Sequence, residues 1–522
     1  MPDWLETEVL VIGSGIAGSV AALQLAEAGL SVIVVTRAQE PQESNTYYAQ
    51  GGIIFRGSDE TPALLVEDID RVGAGHCNPA AVAILAEEGP DLVREILIEK
   101  VQVPFDRARG GELELIREAG HSTSRILHAA DATGHAIEVA LIKALTAHAN
   151  VSLLTGHTAV DLLTPSHHAL NRLAVYAPRS CVGAYLLDQK RERVIHCLAK
   201  KVVLATGGLG QIFLSTTNPP GARGDGLAMA YRAGARVINS EFVQFHPTTF
   251  YFQHASRFLV SEAVRGAGAR LVHANGEPFM QKYAPEWKDL APRDIVARSI
   301  HQEMLAHDAP NVYLDLASYI PEDTIRERFP TIYQDSLSYG IDITRDLVPV
   351  VPAAHYFCGG VWTDVWGRTT IDDLYAVGEV ACTGVHGANR LGSASLLEGL
   401  VWGHRAAQHL QRTVAGQRLH PPEDIPPWHD SGLEWPDPAL ISQDMSSIKR
   451  IMWNYVGLVR TTPRLERAIR ELRNLETEIE RFYRATRLTD GLIGLRNAVR
   501  AAIIVTLAAW ENKTSVGCHY RE

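Results

Sequence analysis

The stretch of residues 8–37 limits the fold of this chain more than any other part of its sequence. An apolar run at 9–12 precedes the glycine pattern G-x-G-x-x-G, a segment with helical apolar spacing that stops at Gly29, and a second apolar run, Val32–Val35. The glycine pattern alone is weak, but this order of strand, turn, helix and strand is the context in which it binds a dinucleotide. The stretch therefore predicts a nucleotide-binding βαβ unit of an α/β fold.

Each glycine of the turn has a physical role in that interpretation. Gly13 allows the tight turn, Gly15 lets the backbone approach a pyrophosphate, and Gly18 lets the helix pack closely on the strand. The N-terminus of the helix then faces the phosphates with its unpaired amide groups. The alternative is an ordinary βαβ unit that binds no ligand.

The residues after the second strand leave the identity of the nucleotide open. An acidic side chain usually binds the ribose hydroxyls at this point, but Thr36 and Arg37 stand here instead. NAD is therefore disfavoured, and either NADP or a differently held FAD remains.

Length and charge restrict the class of protein. A chain of 522 residues is too long for one core, so two to four domains are expected. The net charge of −11 and the lack of a long basic run argue against nucleic acid as a partner. Glu6 and Glu8 near the start, with no cationic segment, indicate no secretory signal peptide, and the apolar run at 501–510 is too short to cross a bilayer. We therefore expect no membrane partner.

The six cysteines favour a reducing compartment. They are scattered and contain no C-x-x-C pair, which argues against a local zinc or iron–sulfur site. We therefore predict no metal site, and free thiols in the cytoplasm.

The nucleotide-binding unit is predicted on both sides of an insertion. Residues 44–52 form a polar, Gly-ended loop that is placed to run along the cofactor, although a plain surface turn is the alternative. Between residues 241 and 351 the alternating α/β signals give way to short helices, turns and clustered His, Arg and Glu, which indicates an inserted domain. The sheet resumes at 374–378, and Glu379 follows where a carboxylate can hold the hydroxyls of a ribityl chain.

Apolar periodicity and turn residues predict the remaining elements. Asp131 or Thr133 is expected as the N-cap of a helix that ends near residue 147, and Asp225 lies near the start of another. A proline-rich linker at 421–438 separates a C-terminal helical bundle. The other predicted elements are a helix at 80–100, strands at 151–154, 159–163, 183–188, 194–198 and 201–205 with a hairpin turn at 189–192, and bundle helices at 446–459, 463–487 and 491–512.

Clustered polar residues in and beside the insertion are candidates for chemistry. His246, His355 and several arginines, Arg293 among them, would suit a dicarboxylate substrate near a flavin, because arginine forks grip carboxylates bidentately and histidines add donors. Singly, each residue has a plainer interpretation. Either histidine can be a buried residue with satisfied partners, and Arg293 can belong to a surface ion pair.

Several segments together resemble the succinate dehydrogenase and fumarate reductase family of flavoproteins, and within it the L-aspartate oxidases. The match covers nearly the whole chain. It implies a discontinuous Rossmann-like FAD-binding domain at 1–242 and 352–420, an inserted α+β capping domain at 243–351, and a C-terminal helical domain at 421–522. The segments that carry the resemblance are 44–52, 205–208, 244–248, 291–294 and 386–396.

Three positions distinguish this chain within the family. The respiratory members carry a histidine where Asn45 stands and bond flavin to it, so the resemblance implies non-covalent FAD here. Glu118 matches the acidic residue that aspartate oxidases place near the substrate amine, whereas the plainest interpretation of Glu118 alone is a solvated charge. The Ser-Arg-Gly of aspartate oxidases is Ser515-Val516-Gly517 here, which puts the contact of that arginine in doubt.

The resemblance implies a reaction and a set of site residues. L-aspartate would be oxidised to iminoaspartate in the first step of NAD biosynthesis, and the flavin would be reoxidised by dioxygen, giving hydrogen peroxide, or by fumarate, giving succinate. Quinolinate synthase, which consumes iminoaspartate, is the implied protein partner. The implied substrate-binding residues are Glu118, Gln244, His246, Ser261, His355 and Arg390, and the implied catalytic residues are Arg293 with Glu262 and Arg265 as a proton relay. The implied FAD-binding residues are Gly13, Ser14, Gly15, Ile16, Ala17, Gly18, Arg37, Ser44, Asn45, Thr46, Tyr47, Tyr48, Ala49, Gln50, Gly51, Gly52, Val160, Asp225, Glu379, Ser395 and Leu396.

Two other functions remain open at the level of sequence. A soluble fumarate reductase is disfavoured by Glu118 and by the lack of a haem or iron–sulfur cysteine pattern. A non-catalytic flavin-binding or assembly protein is disfavoured because the whole set of polar site residues is present. Arg293 raises a separate question, because a guanidinium holds its proton firmly. It suits an acid in fumarate reduction, and in aspartate oxidation it suits an electrostatic role better than that of a base.

Overall fold

The first strand, Trp4–Ile12, lies inside a seven-stranded sheet that carries the glycine turn. It pairs in parallel with Val32–Val35 on one side and with Arg193–Leu204 on the other. The computed structural model describes residues 4–57, 60–252, 258–430, 432 and 434–522. Beyond these strands the sheet adds Val151–Leu154, His157–Leu163, Gly183–Asp188 and Leu374–Ala376. The predicted α/β class and the return of the chain to this sheet after the insertion are confirmed.

One pair of predicted strands is a single element. The sequence predicts strands at 194–198 and 201–205, whereas Arg193–Leu204 is continuous. Residues 193–198 pair antiparallel with Gly183–Asp188, residues 196–204 pair in parallel with Trp4–Ile12, and residues 202–204 pair in parallel with Leu374–Ala376. Ala199 and Lys200, between the predicted strands, stay extended; Ala199 pairs with Thr7 on one side, and its N–H donates to the carbonyl oxygen of Val182 at 2.9 Å on the other. The predicted hairpin turn at 189–192 is confirmed.

Two helices pack closely beside the glycine turn. Ile16–Glu27 has almost all of its residues buried, and Ala394–Thr413 lies against it. The contact depends on Gly403, since a Cβ atom there would lie 2.5 Å from the carbonyl oxygen of Ala17. This packing brings the segment 386–396, which precedes the second helix, to the same end of the sheet as the glycine turn.

The predicted helix at 80–100 is present but changes its winding. Pro79–Leu92 is α-helical and continues as a π-helix over Val93–Lys100. Pro90 lies at this change, and its missing N–H removes one α-helical hydrogen bond.

The capping prediction for the helix Thr133–Ala147 is wrong. Its N-cap is Ala132, and no side chain caps it. Asp131 instead accepts hydrogen bonds from the backbone amides of Thr331 and Ile332, at 3.0 and 3.2 Å. It thereby caps a helix of the insertion, Pro330–Ser338, and ties the insertion to the nucleotide-binding unit.

The insertion contains an antiparallel four-stranded sheet. Its strand order is Val243–Phe250, Val348–Phe357, Val312–Asp315, Arg270–Val272. Val348–Phe357 runs across the predicted boundary between 351 and 352, so the two domains share a continuous strand there. The division of the chain into domains stays a proposal.

The C-terminal part is a bundle of three long helices, Pro438–Val456, Thr462–Ala485 and Asp490–Glu511, as predicted within a few residues except that the first begins eight residues earlier. Of the predicted linker at 421–438, residues 431 and 433 lie outside the described part. The last helix is longer than the apolar run at 501–510. By length and composition it could cross a membrane, but 78% of its apolar window is buried inside the protein.

Short elements complete the fold. The strands are Ile53–Ile54, Leu115–Ile116, Ile126–Leu127, Val237–Ile238, Gly360–Trp362 and Ala381–Cys382. The α-helices are Pro62–Val72, Pro165–His168, Asp225–Ala233, Glu262–Gly266, Met280–Tyr283, Arg293–Ala306 and Glu322–Arg328. The 3₁₀ turns are Arg172–Tyr176, Gly210–Ile212, Lys288–Leu290, Gly378–Val380 and Pro422–Asp424.

Candidate active site

A single long cavity contains most of the predicted site. It is lined by the glycine turn, by the loop 44–52, and by residues of the insertion that include His246 and Arg293. The nucleotide-binding unit and the insertion therefore both contribute to the lining of this cavity.

The glycine turn has the geometry that the pattern requires. Gly13 has φ +116°, and a Cβ atom there would lie 2.1 Å from the carbonyl oxygen of Ala205. The N–H of Ile16, in the first turn of the helix, donates to Oγ1 of Thr46 at 3.1 Å. This bond fastens the loop 44–52 to the helix N-terminus, so the loop follows the cavity as predicted.

Buried polar atoms along the cavity fit a large polar cofactor such as FAD. Within the described residues, Oδ1 of Asn45, Oε1 of Gln50 and Oγ1 of Thr206 are buried without a hydrogen-bond partner, and all three residues line the cavity. Leaving such atoms unpaired costs about 1–3 kcal/mol each. The hydroxyls and ring heteroatoms of FAD are the kind of partners that these atoms lack.

Glu379 lies where the sequence predicts a carboxylate for hydroxyl groups. It accepts from the N–H of Phe357 at 3.0 Å and from Nδ2 of Asn45 at 2.5 Å. Burial raises the pKa of the Glu379 carboxyl to about 7, against these two hydrogen bonds. The group is therefore short of donors, which hydroxyls of a ribityl chain would provide.

Arg37 lines the other end of the cavity and connects it to the C-terminal bundle. Its guanidinium donates twice to Asp490, at 3.0 and 3.3 Å, and Arg223 pairs with the same carboxylate. Burial opposes the charge of Asp490, but the two arginines more than offset it and hold the pKa of that carboxyl far below its usual value. Asp225 also lines the cavity, and Asn497 of the bundle donates to it at 2.9 Å.

Three of the predicted FAD-binding residues lie behind the cavity wall. Val160 is buried in the core, whereas its neighbours 157–159 line the cavity. Tyr47 packs on His135, and Gly18 approaches the backbone of Gly13. The other predicted FAD-binding residues, in the glycine turn, the loop 44–52 and the segment 386–396, line the cavity.

At the insertion end, two arginines face the same space. Nε of Arg293 donates to Oε2 of Glu262 at 2.6 Å. Arg390 donates from one terminal nitrogen to Ser395 at 3.1 Å, and its guanidinium lies 4.7 Å from the ring centroid of Tyr356. Within the described chain, Nε of Arg390 has no hydrogen-bond partner although it is buried. The side chain therefore keeps capacity for a carboxylate.

The predicted relay is assembled in space. Glu262 lies between Arg293 and Arg265, with its Oε1 3.5 Å from a terminal nitrogen of Arg265. Burial opposes the charge on Glu262, but the two arginines more than offset it and place the pKa of the carboxyl below its usual value. Arg265 is fully buried and also donates to the carbonyl oxygen of Asp289.

The two predicted histidines lie against each other. The rings of His246 and His355 are 5.2 Å apart between centroids, and Nδ1 of His355 is 2.8 Å from Oγ1 of Thr217. Burial and the nearby arginines hold the pKa of both histidines well below its usual value. Both are therefore neutral at pH 7 and can donate a hydrogen bond from one ring nitrogen.

Glu118 reaches the same space as the two arginines, so it is not a solvated charge. Its Oε2 accepts from Oγ of Ser393 at 2.7 Å. A Cβ atom on Gly392 would lie 2.9 Å from that oxygen and 3.3 Å from a terminal nitrogen of Arg293, so both charged groups approach Gly392 closely. Burial raises the pKa of Glu118, with Ser393 and Arg293 opposing it.

Two predicted substrate-binding residues have different positions. Ser261 lines the cavity and also caps the helix Glu262–Gly266, accepting from the amide of Ala263 at 3.3 Å. Gln244 is buried and does not line the cavity: its amide nitrogen donates to Asn389 at 2.6 Å and to the carbonyl oxygen of Arg390 at 2.9 Å, and its Oε1 accepts from Arg293 at 3.5 Å. Gln244 thus helps to position both Arg390 and Arg293.

Sequence reasoning missed the residues that support this site. Ser393 adopts φ +58° and accepts from the N–H of Gly52 while it holds Glu118. Tyr356 lies under Arg390 and donates to Glu398 at 2.9 Å. The strained backbone of Ser393 leaves no signal in the sequence. The only sequence feature that points to Ser393 is its place in the segment 386–396, which carries the resemblance.

In the segment 515–517, Val516 stands where the resemblance implies an arginine. Val516 packs against the apolar cluster of Phe242, Tyr356 and Cys358. Apolar packing therefore holds Val516 in place, where an arginine would make charged contacts.

Comparison with known proteins is consistent with this geometry over the whole chain. The family described as FAD binding domain matches residues 8–396, and the family described as fumarate reductase flavoprotein C-term matches residues 445–522. The chain is 43% identical to L-aspartate oxidase of Yersinia pestis, covering 98% of this chain and 95% of the relative. It is 45% identical to L-aspartate oxidase 1 of Ralstonia nicotianae, covering 98% and 94%.

Solved structures share the same architecture over nearly the whole chain. A mutant of E. coli quinol fumarate reductase FrdA is similar with a TM-score of 0.89 at 27% identity, covering 99% of this chain and 91% of that one. Mycobacterium smegmatis Sdh1 is similar with a TM-score of 0.82 at 28% identity, covering 99% and 89%. The chain therefore belongs to the L-aspartate oxidases, within the succinate dehydrogenase and fumarate reductase family of flavoproteins.

Proposed function

We propose that this chain oxidises L-aspartate to iminoaspartate, with non-covalently bound FAD as its cofactor. The observation that carries the proposal is the position of Glu118, whose carboxylate reaches the same space as Arg293 and Arg390. An amino dicarboxylate needs an anion for its ammonium group and cations for its two carboxylates. A plain dicarboxylate has no ammonium group to pair with the anion.

Arg390, His246, His355 and Ser261 would hold the two carboxylates. Arg390 offers a fork with an unpaired Nε, and the neutral histidines offer one donor each. Glu118 would accept from the substrate ammonium, a charge-assisted bond in a buried site. This arrangement fixes Cα of the substrate in the cavity. FAD bound there supplies an acceptor for the two electrons that leave Cα with the hydride.

Arg293 would act differently in the two directions of electron flow. In aspartate oxidation it supplies positive charge beside the substrate and accepts no proton. In fumarate reduction it can donate a proton to carbon and recover it through Glu262 and Arg265, which are in contact with it in series.

Fumarate and dioxygen are the proposed electron acceptors. Transfer of two electrons and two protons from L-aspartate to fumarate gives iminoaspartate and succinate, and transfer to dioxygen gives iminoaspartate and hydrogen peroxide. The similarity to quinol fumarate reductase supports fumarate. The reaction would be the first step of NAD biosynthesis, with quinolinate synthase as the enzyme that consumes iminoaspartate. A location in the reducing cytoplasm is supported by six free thiols.

Product analysis under anaerobic conditions tests the proposal. The FAD-loaded enzyme is incubated with L-aspartate and fumarate, and succinate is quantified together with oxaloacetate, the hydrolysis product of iminoaspartate. We expect equal amounts of the two, and hydrogen peroxide in place of succinate when air replaces fumarate. D-aspartate serves as the control substrate. Full flavin occupancy with no product from L-aspartate in either arm would overturn the proposal.

A further inference from the structure

A cluster of two histidines and a glutamate lies in the insertion, outside the active-site cavity. Nε2 of His273 is 3.3 Å from Oε2 of Glu303, and Nε2 of His307 is 3.2 Å from the same oxygen. One ligand atom from each of the three residues lies within 4.8 Å of the other two. Glu303 and His307 are four residues apart at the end of the helix Arg293–Ala306, and His273 follows the strand Arg270–Val272.

These separations fit ligands of one metal ion better than hydrogen bonds. Nitrogen and oxygen ligands lie about 2.0–2.1 Å from a tetrahedral Zn²⁺, which places two ligands about 3.3–3.4 Å apart. Charge-assisted hydrogen bonds to a carboxylate are usually about 2.7–2.9 Å long. Both histidine contacts to Glu303 therefore have the ligand spacing, and the ring centroids of the two histidines lie 4.6 Å apart.

The carboxylate of Glu303 is already oriented for this role. Its other oxygen, Oε1, accepts from Nζ of Lys282 at 2.9 Å and from the hydroxyl of Tyr283. Partners on one oxygen leave Oε2 to the histidines, in the way that outer hydrogen bonds orient metal ligands. Glu303 is 2% exposed, so its charge is buried. The ammonium group of Lys282 is exposed, and solvent therefore screens its repulsion of a bound cation.

We propose that His273, Glu303 and His307 bind a divalent transition-metal ion, with Zn²⁺ as the best match. Two imidazoles and one carboxylate are ligands that Zn²⁺ accepts, and the exposed side of His307 leaves the fourth position to water. The ion would join the strand Arg270–Val272 to the end of the helix that begins with Arg293. Its role would be structural: by joining the two elements, the ion would stabilise the helix whose first residue is Arg293.

Zinc titration of matched variants tests the site. The untagged, FAD-loaded protein is titrated with Zn²⁺ by calorimetry as wild type, His273→Ala, His307→Ala and His420→Ala. His420 is the control, because its Nε2 pairs with Asp424 at 2.9 Å with the same spacing of four residues, and it belongs to no such cluster among the described residues. His307 is largely exposed, so its replacement should not disturb folding.

We expect one tightly bound equivalent of Zn²⁺ in the wild type and in His420→Ala. Binding of that equivalent should weaken at least about 100-fold in His273→Ala and His307→Ala, since loss of even an outer partner costs about 10–100-fold. Zn²⁺ should also raise the Tm of the wild type and leave that of both cluster variants unchanged. An equivalent that persists in His307→Ala, or no binding in the wild type, would overturn the inference.

Discussion

Oε2 of Glu262 lies 2.6 Å from Nε of Arg293, within the predicted active site. The pair brings together two segments, 261–266 and 291–294, that are about thirty residues apart in the sequence and belong to two helices of the insertion. Because the arginines hold the pKa of Glu262 below its usual value, the carboxylate remains ionised and fixes Arg293 beside the cavity. Of the remaining guanidinium nitrogens of Arg293, one donates to Oε1 of Gln244 at 3.5 Å, and the other is left to face the substrate.

We expect Arg293→Leu to lower fumarate reduction more than aspartate oxidation. Fumarate reduction needs a proton delivered to carbon, and loss of a positioned acid typically costs about 100-fold to 10,000-fold. Aspartate oxidation loses only positive charge. Both activities are measured on one preparation at equal flavin occupancy, with Arg298→Leu on the same helix as control, since Arg298 pairs with Asp294. Equal loss in both directions would mean that Arg293 has one shared role.

Arg390→Leu is expected to abolish productive substrate binding while FAD stays bound. A buried carboxylate that loses its fork partner costs on the order of 3–5 kcal/mol, which appears as a loss of kcat/KM for L-aspartate. Arg390→Lys keeps the charge without the fork and should fall between this variant and the wild type. Near-normal turnover and KM in the leucine variant would contradict the assignment of Arg390.

FAD should dissociate from the protein without breaking a covalent bond. The resemblance places Asn45 at the position of the flavin-linked histidine of the respiratory members, and an amide side chain cannot form that bond. Its Nδ2 is instead engaged with Glu379 at 2.5 Å. After acid precipitation the yellow colour should remain in the supernatant. Colour that stays in the pellet would disprove non-covalent binding.

The affinity for FAD should increase with pH around neutrality. The pKa of Glu379 is raised to about 7, so below pH 7 the carboxyl must release a proton before it can accept from two hydroxyls. Above pH 7 it is already ionised. The Kd for FAD should therefore fall about tenfold between pH 6 and pH 8, as measured by quenching of flavin fluorescence. Glu379→Gln should have a weaker, pH-independent Kd, and an equal pH dependence in both proteins would exclude Glu379 as the cause.

Local patterns were sufficient to predict the nucleotide-binding unit. The glycine turn and the strand Val32–Val35 lie where their sequence signals place them, because short-range sterics and apolar periodicity decide such elements. Other features of the fold depend on contacts between residues that are distant in the sequence. Asp131 looks like a local N-cap, yet it caps a helix two hundred residues later.

The candidate site shows the same division between local and distant signals. The resemblance places Glu118 at the substrate, whereas its own spacing suggests a solvated charge, and only the fold brings Ser393 to it across 275 residues. Arg37 lines the cavity as expected, but its partner Asp490 comes from the C-terminal bundle. The cluster of His273, Glu303 and His307 has no sequence signal of its own, because the fold brings His273 to the other two and no cysteine pair marks the place.

Glu118→Gln should lower the activity with L-aspartate and leave the reduction of fumarate, a plain diacid, unchanged. The change keeps the shape of the side chain and removes a charge-assisted bond to the substrate ammonium, worth roughly 1.5–3 kcal/mol. We expect kcat/KM for L-aspartate to fall about ten- to a hundredfold, with fumarate reduction unaffected or slightly faster. A parallel fall for both substrates would indicate a flavin or folding defect instead.

Anaerobic stopped-flow absorbance of the wild-type flavin tests the preference for L-aspartate most directly. The oxidised, FAD-loaded enzyme is mixed with L-aspartate in one series and with succinate in another, at matched concentrations. We predict that L-aspartate bleaches the flavin band and that succinate does so far more slowly, because succinate leaves Glu118 buried without an ammonium partner. Bleaching by succinate as fast as by L-aspartate would contradict the assignment of this chain as an aspartate-oxidising enzyme.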